Sequence, residues 1–149
     1  MSAIRLEAHY GDRVVRCFAQ RPASVYAMFR AAAERNPRGE ALVCGNERIT
    51  WADLAQRAER AAAGLARHGI GRGDRVALLL GNRNEFVIAL LAALRLGAIA
   101  VPINVREQTP ELAYVLNHCA AKLIVHETEL AARLPAPVDV PGLAHRIAV

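Results

Sequence analysis

The residues from 67 to 86, RHGIGRGDRVALLLGNRNEF, set four glycines around an apolar run, and glycines beside a strand are the raw material of a phosphate-binding loop. Such a loop runs in the order strand, glycines, helix, so that the free amides at the helix start point at the anion. Gly69, Gly71 and Gly73 run the other way, from a helical pattern into an apolar strand, which makes them helix-stop and turn residues. Gly81 does follow a strand, in GNRNEF, but one glycine without a lysine and a hydroxyl is a weak phosphate signal. Asn82 after that strand, and Asn104 and Arg106 after the next, stand where doubly wound folds carry functional side chains, and they mark a candidate substrate-cleft rim. The same residue types also serve simply as turn formers.

The thiols offer less. Cys17, Cys44 and Cys119 form an odd set with no Cys-x-x-Cys pair. His118 beside Cys119 does not make a thiolate pair, because neighbours on a helix do not face each other, so Cys119 reads as a small core residue. No catalytic, cofactor-binding or metal-binding residue is assigned. No secretory pattern opens the chain, and a reduced cytoplasmic setting fits the free thiols.

Composition bounds the remaining classes. The chain has 149 residues, 54% hydrophobic and 22% charged, which is enough for one domain with a buried core and no need of a metal or disulfide. The net charge of +5 is spread singly, as arginines among acids and alanines, with Lys122 the only lysine and few aromatics for base stacking. Nucleic acid is therefore not an expected partner. The longest apolar segment, Phe86 to Ile103, is interrupted by Arg95, Gly97 and Pro102, so no membrane span is read.

The elements that position these residues follow from periodicity. IRLEAHYGDRVVRCFA has two alternating runs about Tyr10-Gly11-Asp12, the pattern of a hairpin. Val25, Met28, Phe29, Ala32 and Ala33 recur at helical spacing, with Ser24 as cap and Asn36-Pro37 as stop. ALVCGNERIT reads as a second hairpin through Gly45-Asn46. Thr50 caps the next helix by accepting from the Asp53 amide, and Leu54, Ala55, Ala58, Ala61, Ala62 and Leu65 form its buried stripe up to the Gly69 stop. RVALLL reads as a strand covered on both faces. Asn84 is the expected cap of the helix that follows, Gly97 its stop, AIAVPI another strand, and Thr109 the expected cap of a helix with Pro110 at its first position. KLIVHE and HRIAV supply two further strands, the latter after a proline-rich connection. Alternating helices and apolar strands predict an α/β fold: a doubly wound, mainly parallel sheet flanked by helices, with a small N-terminal β-hairpin. Residues 1–23 read as an N-terminal extension, 24–134 as the α/β subdomain and 135–149 as the connection and final strand.

Taken together, ITWADL (49–54) and ALRLGAIAVPIN (93–104), with GDRVALLLGNRNEF between them and ELAYVLNHCAAKLIV after, resemble the amino-terminal part of the adenylate-forming (AMP-binding) enzymes. The resemblance covers about residues 24 to 130, and VPINVRE and ELAYVLNHCAAKLIV look most like the bacterial long- or medium-chain fatty acyl-CoA synthetases. It implies an ATP-dependent acid:CoA ligase, in which a carboxylate and ATP give an acyl-adenylate and then an acyl-CoA. ATP, magnesium and coenzyme A are implied for the full-length enzyme, and none for this chain. The family's hydroxyl- and glycine-rich phosphate loop, adenine-side aromatic, ribose-binding aspartate and carboxy-terminal lysine have no counterpart here. The chain is expected to be a truncated N-terminal subdomain, inactive alone, with the remainder of the synthetase as partner and a fatty or other carboxylic acid as the whole enzyme's substrate. In ITWADL, Trp51 and Leu54 are expected to pack on the sheet. Removing such a subdomain from its parent exposes apolar surface, so dimers are expected. The alternative is a free-standing flavodoxin-like binding or interaction module. VALLLGNRN and AVPINVR lack the acids of a phosphoacceptor, and VCGNE lacks the hydroxyls of a flavin loop.

Overall fold

A computed structural model describes residues 4–149. The chain opens with an antiparallel hairpin, β1 (Ile4–His9) and β2 (Arg13–Phe18), then α1 (Val25–Arg35) and a second hairpin, β3 (Glu40–Cys44) and β4 (Glu47–Thr50). There follow α2 (Trp51–Arg67), β5 (Arg75–Leu79), α3 (Asn84–Arg95), β6 (Ile99–Pro102), α4 (Thr109–His118), β7 (Ala121–His126), two short 3-10 turns and β8 (His145–Ala148). The last four strands form one parallel sheet in the order β6-β5-β7-β8. The α/β reading and the N-terminal hairpin therefore hold. Residues 1–3 of the expected extension lie outside the described residues.

The sheet forms because β5 and β7 are apolar on both sides. Alternate residues of a strand point to opposite faces. Val76 and Leu78 of β5, with Leu123 and Val125 of β7, pack under α2 and α3 against Leu65, Ala89 and Ala92. Ala77 and Leu79, with Ala121 and Ile124, meet Leu112 and Leu116 of α4 and Val140 on the opposite face. The crossover β5-α3-β6 thus covers one face and β6-α4-β7 the other, carrying the chain back across β5. Pro102 is tolerated because β6 is an edge strand.

Helix boundaries follow local chemistry with two exceptions. Ser24 Oγ accepts from the Ala27 amide at 3.0 Å, and Thr50 Oγ1 from the Asp53 amide at 3.2 Å. Gly69 and Gly97 leave α2 and α3 in the left-handed region, at φ 71° and 69°. Asn84 does not cap α3: the cap position is Arg83, and Asn84 is a buried first-turn residue whose Nδ2 donates to Glu47 Oε2 at 2.6 Å. Thr109 does not cap α4 either. Gln108 takes the cap position, while Thr109 Oγ1 donates to the Arg133 carbonyl at 2.9 Å. In both cases a partner distant in sequence outbids the local amide.

A third cluster stands apart from the parallel sheet. Phe29 of α1, Ile49 of β4, Leu54 and Ala58 of α2 and Leu91 of α3 are buried together, with Trp51 at their margin. The sequence reading puts Trp51 and Leu54 on the sheet; they instead join the β3–β4 hairpin to three helices, because α2 turns this end of its stripe toward α1. No helix among the described residues is long and apolar enough to cross a membrane.

The amino edge of the sheet is tied by Asp74, whose Oδ2 accepts from the Gly71 amide at 2.8 Å and from Lys122 Nζ at 3.2 Å. The Gly71 amide first, and Lys122 second, hold its carboxyl below the ordinary aspartate range. A carboxyl with a depressed folded-state pKa contributes stability that is complete above the unfolded-state value and lost as pH falls toward the folded-state one. Asp74→Asn should therefore reduce the loss of stability on acidification through and below the ordinary carboxylate range, measured by denaturant midpoints against pH. Leu123→Ala, at a fully buried position of β7, should cost about 2–5 kcal/mol, whereas Val43→Ala on the exposed side of β3 should leave the midpoint nearly unchanged.

Candidate functional site

A sheet wound in both directions opens a crevice outside the carboxyl ends of its strands, where successive crossovers diverge. Here that point lies between β5 and β7, since β6 is laid down on one side of β5 and β7 on the other. The crevice is held by its own side chain. Glu127, just past β7, accepts the Gly81 amide on Oε1 at 2.6 Å, and its own amide donates to the Leu79 carbonyl at 3.2 Å. The approach is tight: a Cβ at position 81 would stand 3.2 Å from Glu127 Oε1. Next to it His126 is buried, with Nδ1 2.9 Å from the Glu127 carbonyl oxygen.

Asn82 lies one residue beyond Gly81 and lines a cavity of about 250 Å³ between the β3–β4 hairpin and the start of α3. Leu42, Cys44, Phe86 and Val87 complete much of its wall. Its frame is electrostatic. Glu47 in β4 accepts Arg57 Nη1 at 2.7 Å and Asn84 Nδ2 at 2.6 Å, so one carboxylate joins the hairpin, α2 and α3. Arg57 first and Asn84 second hold the Glu47 carboxyl below its ordinary range. Across the loop Arg83 Nε donates to Glu85 Oε2 at 2.8 Å, and that pairing lowers the Glu85 carboxyl in the same way.

Asn104 and Arg106 follow β6 at the same edge of the sheet but do not line this cavity. Asn104 Oδ1 accepts the Arg106 amide at 3.0 Å, a side-chain turn that shapes the loop, and both residues are exposed. The loop is braced by Arg133 Nη1, which donates to the Val105 carbonyl at 2.8 Å. Of the three candidate rim residues, then, Asn82 faces a cavity, while Asn104 and Arg106 form a separate turn one strand away. Glu127 and His126 occupy the switch point and were not singled out from the sequence. The signal was the polar pair closing the buried run KLIVHE, but only the placement of β7 beside β5 gives that pair its position.

A second cavity, about 260 Å³, is apolar and lies among α2, α3, β7 and β8, lined by Leu65, Ile88, Ala89, Val125, Ile147 and Val149. It sits on a helical face of the sheet and has few groups that could orient a polar ligand.

Removing the Glu127 carboxylate should release the β5–α3 loop. Glu127→Ala should accelerate exchange of the Gly81 amide and cost about 1 kcal/mol, the lower end of the range for an orphaned donor. Glu127→Gln, which keeps an acceptor, should lose less of both. Amide exchange by NMR alongside chemical denaturation reads the two effects.

Comparison with known proteins gives the arrangement its context. The chain is 39% identical over 103 residues to a medium/long-chain-fatty-acid–CoA/3-oxocholest-4-en-26-oate–CoA ligase of Mycobacterium marinum, covering 69% of this chain and 19% of that protein. It is 38% identical over 120 residues to a long-chain-fatty-acid–CoA ligase of Mycobacterium tuberculosis, covering 77% and 24%. The chain thus spans about a fifth to a quarter of the length of these relatives. Among solved structures, the inhibitor-bound N-terminal domain of FACL13 from Mycobacterium tuberculosis superposes with a TM-score of 0.79 at 33% identity, covering 85% of this chain and 33% of that one. An anthranilate CoA ligase shares the fold alone, with a TM-score of 0.82 at 23% identity, over 86% of this chain and 25% of that one. The model of the AMP-binding enzymes matches residues 29–147, from α1 through β8, and the chain belongs to that family.

Proposed function

We propose that this chain forms the N-terminal part of an ATP-dependent acid:CoA ligase acting on a medium- or long-chain fatty acid, and that it performs no adenylation alone. The family match over residues 29–147 carries the first half of this reading, and the fatty-acid ligases among its relatives support the substrate class. The chemistry of the loops supports the second half. Adenylation requires a triphosphate to be gripped with magnesium and a carboxylate to be aligned on the α-phosphorus while negative charge builds there. The β5–α3 and β6–α4 loops, 80–83 and 103–108, supply asparagine and arginine but neither a lysine nor a hydroxyl.

On this reading residues 24–134 are the body of the subdomain, 1–23 an extension, and 135–149 a connection ending in β8. Glu127 and the β5–α3 loop act as scaffold at the carboxyl edge, and Asn82, Asn104 and Arg106 form the rim facing the remainder of the synthetase. ATP, magnesium and coenzyme A are bound by that remainder, in a reduced cytoplasmic compartment. Exposed apolar side chains, including Ile4, Leu6, Val14 and Phe18 of the first hairpin, favour self-association of the isolated chain.

Calorimetric titration of the 149-residue chain with ATP and magnesium, paired with pyrophosphate release over a panel of fatty acids, tests the proposal. The expected outcome is no saturable heat and no release. Saturable binding or turnover would place a nucleotide site within residues assigned here to scaffold. Sedimentation velocity should show a dimer or larger species at micromolar protein, and a monomer stable across dilution would remove the self-association.

A further inference from the structure

The first hairpin lies outside the family-matched residues and contributes nothing to the three buried clusters. An isolated two-stranded hairpin is marginally stable in water, so whatever joins β1 to β2 beyond backbone pairing matters. Ile4, Leu6, Ala8, Val14 and Phe18 share one face with Arg16, whereas Arg5, Glu7, His9, Arg13 and Cys17 share the other with Val15. On this second face the donor atoms of Glu7, His9 and Cys17 all lie within 4.8 Å of one another.

The geometry points to a binding site for a borderline-soft divalent cation of the zinc class, with Glu7 and His9 of β1 and Cys17 of β2 as ligands that clasp the hairpin. The decisive observation is that both contacts of His9 use the same nitrogen: Nε2 is 3.1 Å from Glu7 Oε2 and 3.7 Å from Cys17 Sγ. A thiol-imidazole-carboxylate relay would need opposite ring nitrogens for its two partners, because one orients the ring while the other takes the proton. Convergence of nitrogen, oxygen and sulfur on one point is instead what a metal ion requires. Ligands about 2.0–2.3 Å from a tetrahedral zinc stand roughly 3.3–3.7 Å apart, close to the spacings found here. Thiolate, imidazole and carboxylate form a mixed set suited to zinc, and three protein ligands leave a fourth position for water. Arg5 donates to the other carboxylate oxygen, Oε1, as an outer-shell partner that orients the ligand. Arg21 opposes the ion: its Nη2 donates to Oε2 at 2.6 Å, and the metal must displace it.

That opposition makes the test discriminating. The full chain carrying Cys44→Ser and Cys119→Ser, so that Cys17 is the remaining thiol, is titrated with cobalt(II) as a spectroscopic stand-in for zinc. A saturable 1:1 thiolate-to-cobalt charge-transfer band is expected. Adding Cys17→Ser should abolish it, and His9→Ala or Glu7→Gln should weaken binding by about tenfold or more. Arg21→Ala should tighten binding, a gain that an unfolded hairpin could not imitate. Zinc calorimetry should show saturable 1:1 binding that Cys17→Ser removes. Amide exchange in β1 and β2 should slow with metal. The inference is overturned if cobalt in large excess gives no band, if His9→Ala leaves the cobalt affinity unchanged, or if Arg21→Ala weakens it. Those results would leave the cluster as an arginine-carboxylate staple.

Discussion

The architecture rests on the burial of β5 and β7 on both faces. A strand whose alternate residues are all apolar cannot turn either side to water, so each side must be roofed. Parallel neighbours are reached only through crossovers, and crossovers of one hand put α3 and α4 on opposite roofs. Once Val76 and Leu78 are committed to one face and Ala77 and Leu79 to the other, a sheet covered by helices on both faces is the natural consequence. The charged residues are arranged around this requirement rather than causing it.

The polar groups divide between the two edges. At the amino edge Lys122 bridges Asp74 and the Gly69 carbonyl, and Arg75 donates to the carbonyls of Cys119 and Ala120 at the end of α4. This second contact bears on an unusual backbone. Ala120 leaves α4 at a φ of 50°, where glycine would be expected, and an arginine from the central strand sits against the carbonyls exposed there. At the carboxyl edge Glu127 meets the Gly81 amide and Arg133 braces the 103–108 loop. One edge is locked, while the other holds loops in position around a small cavity.

The β3–β4 hairpin and the first hairpin show two ways of holding a small sheet. The former is fastened to the body through Ile49 in the third cluster and through Glu47, which bonds to α2 and α3 together. Among the described residues the first hairpin has no comparable apolar anchor, and its close side-chain contacts include polar ones among its own residues and Arg21.

What the sequence determined by itself was set by local geometry: the order and type of the strands and α-helices, the Ser24 and Thr50 caps, the glycine stops at 69 and 97, and the doubly covered strands. Helical and strand periods and the left-handed preference of glycine act within a few residues and leave their mark in the chain. Motifs spread over residues 24 to 130 also made the family legible. Only the tertiary structure decided what depends on partners far apart in sequence. Strand order put His126 and Glu127 at the switch point, and Glu47 drew Asn84 away from the cap it could have made. Arg133 did the same to Thr109, the orientation of α2 carried Trp51 away from the sheet, and the hairpin register brought Glu7, His9 and Cys17 together. Each of these outcomes is a competition between a local bond and a distant one, and the distant partner is supplied only when the chain has folded.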